Sequence, residues 1–274
     1  MTLNIITCSK YFLRLFISSF CSIFVILLVK GAKMRLQKYI IISCIIILIL
    51  SLIGIFVTEQ NNKFYDLSTG VFTGVMLTGM TSIILFLYEK NKIINKLYNN
   101  FAEIYFTLSV IDKNLGNFLI KKEITDMNFR INYKLTMEII NTIKEFDFDE
   151  YTSFFDSKFN SLLEQFLSFN LKLYNLHNIV GERSQGILYH ELTLKDLEMK
   201  RLQGIAEQML LPYEQQVIND REALLILIGK LHEYVASLKL ELTSNLTKLD
   251  NYHKFKISWD GRKSLLEKQV QELS

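Results

Sequence analysis

The sequence predicts an all-α membrane protein: a transmembrane helical hairpin, preceded by a third span, carrying a cytoplasmic multi-helix bundle with coiled-coil-like seams. Three observations predict it. Residues 39–57 and 67–88 are apolar runs without a formal charge. Each is close to the roughly 20 residues a helix needs to cross a ~30 Å hydrocarbon layer. The chain has only 11 Gly and 1 Pro, and sheet-rich or loop-rich folds spend these residues on turns. Past residue 88 the apolar residues recur in alternating steps of four and three, a helix face. Three regions result: an N-terminal apolar segment with a basic linker (1–38), the hairpin (39–88) and a cytoplasmic helical domain (89–274).

The first region holds an apolar run at 11–29, broken by Arg14. A true span is the leading reading, with Arg14 snorkelling to the interface. A start at Met34 is a second. A signal peptide is a third, with a poor small-residue cleavage site at residues 29–33. Lys and Arg near span ends set orientation. Lys30, Lys33, Arg35 and Lys38 precede the first leg, the turn at 58–66 carries only Lys63, and Lys90, Lys92 and Lys96 follow the second leg. This rich–poor–rich order places the turn outside and residues 89–274 on the cytoplasmic side of a plasma (inner) membrane.

The second leg is rich in small residues. Gly70 and Gly74 form a G-x-x-x-G pair, and Gly79 follows, beside Thr69/Thr73 and Thr78/Ser82. Small residues four apart let helix backbones approach closely. They serve either to pack the two legs together or to bring copies of the chain together.

After the second leg, Ile94, Tyr98, Phe101, Tyr105, Leu108, Leu115 and Leu119 keep the spacing, missing at Asp112. One helix is expected to run to about residue 114, stopped by Gly116. Residues 124–146 alternate like a strand but also fit a helix, and helix is expected because a lone strand would have no partner. Residues 146–151 read as a turn, and Ser153 with Asp156 as a helix start. Phe155, Phe159, Leu162, Phe166, Phe169, Leu173, Leu176 and Val180 form a first seam, ended by Gly181. Residues 182–192 read as a loop. Thr193 with Asp196 opens a helix to Leu211, and Pro212 ends or kinks it.

Residues 213–249 carry a second seam with Val217, Leu224, Ile228, Leu231, Val235, Leu238, Leu242 and Leu249, and Asn245 at a core position. Leu225 and Leu227 widen the stripe, which suits a bundle better than a two-stranded coil. Residues 259–261 read as a turn, and Ser264 with Glu267 as the capping box of a last helix.

No motif carries chemistry. The net charge is +3, too mild and dispersed to argue for nucleic acid. His190 and Glu191 do not extend to a zinc-protease motif, because Leu194 stands where the second histidine belongs. Asp147, Asp149, Glu150 and Asp156 lack the glycine of a calcium loop. Cys8, Cys21 and Cys44 have no redox or zinc spacing. Lys254, Lys256, Arg262 and Lys263 lie among Tyr252, Phe255 and Trp259, which reads first as a solvated basic turn and otherwise as a contact for anionic lipid or nucleic acid.

The expectation is therefore a protein without catalytic residues, cofactor, metal or small-molecule substrate. Its partners would be the bilayer and either its own copies or a helical protein. Gly70, Gly74 and Gly79 would pack helices in the membrane, and Phe155, Leu162, Phe169, Leu224, Leu231 and Leu238 would pack the seams. A two-span effector that perturbs the membrane when its cytoplasmic domain is switched is the alternative.

Overall fold

The computed structural model describes residues 34–57, 63–122, 125–144, 146 and 157–273, and in them it is all-helical. Six helices follow one another: α1 (Met34–Val57), α2 (Lys63–Lys121), α3 (Asp126–Lys144), α4 (Ser157–Leu202), α5 (Glu207–Tyr252) and α6 (Trp259–Glu272). The apolar run at 11–29, Phe155, the acidic stretch at 147–156 and the Ser153/Asp156 start signal lie outside the described residues. One compact unit ends at Lys92 and another begins at Ile93.

In the first unit, α1 and the start of α2 pack side by side. A Cβ built on Gly79 would lie 3.7 Å from Cys44 Cβ, and one on Gly54 would lie 2.6 Å from Ser68 Oγ. As α1 advances from 44 to 54, its neighbour on α2 moves back from 79 to 68, so the legs are antiparallel. Ile41, Cys44 and Ser51 face Val75, Ser82 and Phe86 in a narrow buried strip. Their remaining circumference is apolar and exposed, as at Leu50 (62 %), Phe56 (84 %), Leu77 (64 %) and Ile84 (66 %). Among the described residues two helices, α1 and α2, are long and apolar enough to cross a membrane. The hydroxyls of this unit satisfy themselves locally: Ser51 in the strip, and Thr69, Thr73, Thr78 and Thr81 outside it, each donate to the carbonyl four residues earlier.

The second unit is a bundle built on α4 and α5. Each has 46 residues, about 69 Å at ~1.5 Å per residue. They run antiparallel. Phe159 stacks on Tyr252 at one end, Lys172 pairs with Glu241 at 2.6 Å midway, and Lys200 sits 4.0 Å over the Tyr213 ring at the other end. The last third of α2 lies antiparallel to α5, through Lys239 to Asp112 and Arg221 to the Lys122 carbonyl. α3 packs against both α2 and α4, through Asn114–Asn132, Phe118–Phe129 and Tyr133–His177. α6 runs parallel to α2, from Tyr98–Trp259 to Lys113–Val270.

Both seams are internal to one chain. Phe159, Phe166, Phe169, Leu173, Leu176 and Val180 on α4 meet Ile228, Leu231, Val235, Leu238, Leu242 and Leu249 on α5, all at most 2 % exposed. Fully burying a side chain of this size stabilises by about 1.5–3 kcal/mol. The seams, with the buried face of α2 from Ile93 to Phe118, supply the apolar drive for the bundle.

Several expected boundaries are corrected. Gly116 and Gly181 end nothing: α2 runs to Lys121, and α4 runs through the expected loop at 182–192 to Leu202. A Cβ on Gly181 would meet the Tyr133 ring at 3.3 Å and one on Gly116 would meet His232 Nε2 at 3.7 Å, so these glycines admit neighbours closely. The stop is Gly204, at φ +74, a conformation open to glycine at little cost. Its N–H donates to the Arg201 carbonyl at 3.0 Å and Ile205 N–H to the Lys200 carbonyl at 3.3 Å, the double closure of a Schellman turn. Pro212 lies within α5. Trp259 to Gly261 begin α6 rather than form a turn, with Ser258 Oγ accepting from Gly261 N–H. Glu267 is no cap, because it accepts from the Tyr105 hydroxyl at 2.7 Å. Among the described side chains of α3, Phe129, Asn132, Thr136, Ile139, Ile140 and Ile143 are buried, while Ile131, Tyr133 and Met137 are exposed. The strand-like alternation there has no structural counterpart.

Candidate functional site

The functional surfaces a helical protein of this kind can offer are helix faces and polar layers. Gly79 lies on the seam between the hairpin legs, against Cys44. Gly70 and Gly74 do not: both are exposed, and a Cβ on either would meet nothing within 4 Å. The G-x-x-x-G pair thus points away from α1, with Thr69 and Thr73 on the same open side. Leu162, Phe169, Leu224, Leu231 and Leu238 are buried in the bundle.

The difference between the glycines is testable. Gly79→Leu should overpack the leg seam and destabilise the hairpin by about 1–3 kcal/mol. Gly74→Leu should leave it unchanged. Thermal unfolding of the full chain in detergent, followed by resistance of α1 to proteolysis, reads both.

Polar layers interrupt the apolar seams. Asp112 fills the gap in the heptad spacing of α2. Its Oδ2 accepts from Lys239 Nζ at 2.7 Å. Its Oδ1 lies 3.1 Å from His232 Nε2, within ion-pair distance but outside hydrogen-bond geometry. Asn114 Nδ2 donates to Asn132 Oδ1 at 3.1 Å. The Thr136 hydroxyl and His177 Nδ1 are 3.0 Å apart, and the imidazole stacks on Tyr133 at 4.9 Å. Such layers fix helix register, since a slip would strand each group without its partner.

A second cluster joins α2 to α6. Trp259 is 1 % exposed and lies edge-on to Tyr105 at 5.1 Å and Tyr98 at 6.4 Å. Tyr98 stacks on Phe255 at 3.9 Å and lies beneath Arg262. Arg262 donates to Asn99 Oδ1 at 2.6 Å. These aromatics face inward, so the basic turn read from the sequence has no exposed stacking platform at Trp259. Burial, reinforced by the hydrogen bond from its hydroxyl to Glu267 and by that carboxylate's charge, raises the Tyr105 phenol well above its usual range.

His190 is the one buried histidine among the described residues. It occupies a seam position of α4, is 4 % exposed, and its Nδ1 has no hydrogen-bond partner. Burial lowers its pKa, against the charge of Asp220 and with that of Arg221. Its folded pKa therefore lies below the unfolded value, so the unfolded chain binds the proton first as pH falls. Stability should be complete above about pH 6.5 and decline as pH drops below that value. His190→Leu should remove this acid-side decline and leave stability at pH 7.5 unchanged or slightly higher, as read by denaturant titration across pH 5–7.5.

Sequence reasoning missed the outer end of the α4–α5 pair. The seam of α4 continues past Gly181 as Arg183, Ile187, His190, Leu194 and Leu197. Polar residues at two of those positions concealed the period. Leu197, Leu210 and Val217, with Leu194 packed against them, form a small core there.

Among the described residues, no group of three or more His, Cys, Asp or Glu is placed to hold a metal ion. Comparison with family models, curated proteins and solved structures finds no match for the chain.

Proposed function

We propose that this chain is a non-enzymatic, membrane-anchored helical protein that self-associates through its membrane leg or binds a partner through its cytoplasmic bundle. One observation carries the reading. A single uninterrupted helix, α2, holds both the second lipid-length apolar run and, from Ile94 to Leu115, residues of the bundle core. A chain whose bundle helix is also a membrane leg holds that bundle at the membrane. The distribution of lysine and arginine supports a cytoplasmic bundle.

Self-association is supported by the open face of Gly70 and Gly74. In lipid, where apolar burial gives no net drive, close backbone packing at such faces is what holds helices together. The bundle seams do not serve this role, since Ile228 is 0 % exposed within its own chain.

Crosslinking in native membranes tests the reading. With Cys8, Cys21 and Cys44 replaced by serine, Gly74→Cys should give a disulfide-linked dimer on mild oxidation, and Leu50→Cys, on the exposed face of α1, should give far less. Absence of any Gly74 crosslink, together with no co-purifying protein on affinity capture, would contradict it.

A further inference from the structure

The α4–α5 pair outreaches the helices that cover it. α2 ends where Arg221 of α5 donates to the Lys122 carbonyl at 2.6 Å. α3 lies against α4 at His177 and Gly181. Beyond these points α4 and α5 run on to their turn at Gly204.

The covered faces do not become polar there. On α4 the face that meets α3 at His177 and Gly181 continues, at steps of seven and eleven, into Leu188, Leu192 and Met199. On α5 the face that meets α2 at His232 and Arg221 continues into Ile218 and Leu211. All five are exposed, Leu192, Met199, Leu211 and Ile218 by more than half. α2 and α3 touch each other, so these two faces lie on one side of the α4–α5 layer. The platform is structured: it has its own core at Leu197, Leu210 and Val217. Its turn is clamped by Lys200 with Asp196 and Tyr213, and by Arg201 with Glu214.

Its charge is one-sided. Residues 188–222 carry seven carboxylates against four Lys or Arg. Lys200, Arg201 and Arg221 are turned onto partners of the same chain. Glu198, Glu207 and Glu222 are exposed and form no ion pair among the described residues.

We propose that this platform binds an amphipathic helix of a partner protein, apolar on one face and basic along its rim, laid where α2 and α3 leave off. Helices occupy the same side of the layer one storey below, so a helix fits the groove spacing. Unpaired carboxylates select lysine and arginine on the rim. Met199 and its neighbours give an adaptable apolar floor. A second copy of the platform would bring the same surplus of negative charge, as would an anionic bilayer. The inference gives a chemistry to the partner-binding half of the reading above and rests on it.

The test uses the full chain in nanodiscs of zwitterionic lipid, with empty nanodiscs as background. The probe is a fluorescent Leu/Lys peptide of roughly 18 residues, about 27 Å as a helix. A scrambled peptide of equal composition and a Leu/Glu peptide are the comparisons. Anisotropy should show saturable binding of the Leu/Lys helix alone. Affinity should fall at least about tenfold in Leu192→Ser/Ile218→Ser and in Glu198→Lys/Glu222→Lys, with far-UV circular dichroism unchanged in both. The charge variant should also lose most of the salt dependence. Equal binding of the scrambled peptide, or unaltered binding by either variant, would overturn the proposal. So would a chain that dimerises through Leu192 and Ile218, or one whose platform instead binds anionic vesicles. A lost peptide interaction with Gly74 crosslinks intact would remove this inference alone. A missing crosslink with the peptide still bound would remove only self-association through the membrane.

Discussion

Phe166→Ala should destabilise the bundle by about 3–5 kcal/mol, the range for deleting a large buried aromatic side chain. Phe166 is 0 % exposed and joins two elements rather than one. Its ring lies 4.4 Å from that of Phe101 on α2, with Phe169 6.2 Å from the same Phe101 ring. The loss combines the transfer of the ring from water with the cavity left between helices that cannot collapse onto it. Leu171, on the same helix and 67 % exposed, supplies the comparison: its replacement by alanine should change stability by less than about 0.5 kcal/mol. Denaturant titration of the full chain in detergent, monitored by far-UV circular dichroism, separates the two. Equal effects would mean that the α4 seam does not face the bundle core.

Asp112→Ala should be the second large loss, about 1–3 kcal/mol. It leaves the Lys239 ammonium and the His232 imidazole beside each other without their shared carboxylate. Side chains of Asp112 and Lys239 keep 23 % and 21 % of their exposure, so water relieves part of the penalty that a fully buried orphan charge carries. Lys239→Met added to Asp112→Ala should recover part of the loss, because the orphaned ammonium is then gone as well. Additive losses in the double variant would contradict a paired role for these two groups.

Much of this architecture was legible in the letters because each helix with a strong apolar period also buries that period. The apolar residues spaced by four and three from Phe159 to Val180, and those from Val217 to Leu249, are buried. The break at Asp112 marked a polar partner, and Asn245 is 4 % exposed at its core position.

What was not legible has one cause: a glycine or a polar side chain carries two meanings that only tertiary packing separates. Gly116 and Gly181 look like stops but make room for His232 and Tyr133, whereas Gly204 supplies the left-handed residue that ends α4. Asn132 and Thr136 look like the outer face of α3 and are 0 % and 1 % exposed, because Asn114 Nδ2 donates to Asn132 Oδ1 and the Thr136 hydroxyl lies between the Tyr133 carbonyl and His177 Nδ1. Gly70 and Gly79 share a helix and a composition, but nine residues turn them to different sides. The sequence gap at 182–192 hid a helix because Arg183 and His190 occupy seam positions.

The membrane hairpin as anchor for an interior bundle is tested most directly by which residues an impermeant thiol reagent reaches in intact cells. In the cysteine-free chain, Asp66→Cys should be labelled without permeabilisation, while Lys92→Cys and Lys254→Cys should be labelled only after it. Labelling of Lys254→Cys in intact cells, or protection of Asp66→Cys there, would contradict the account.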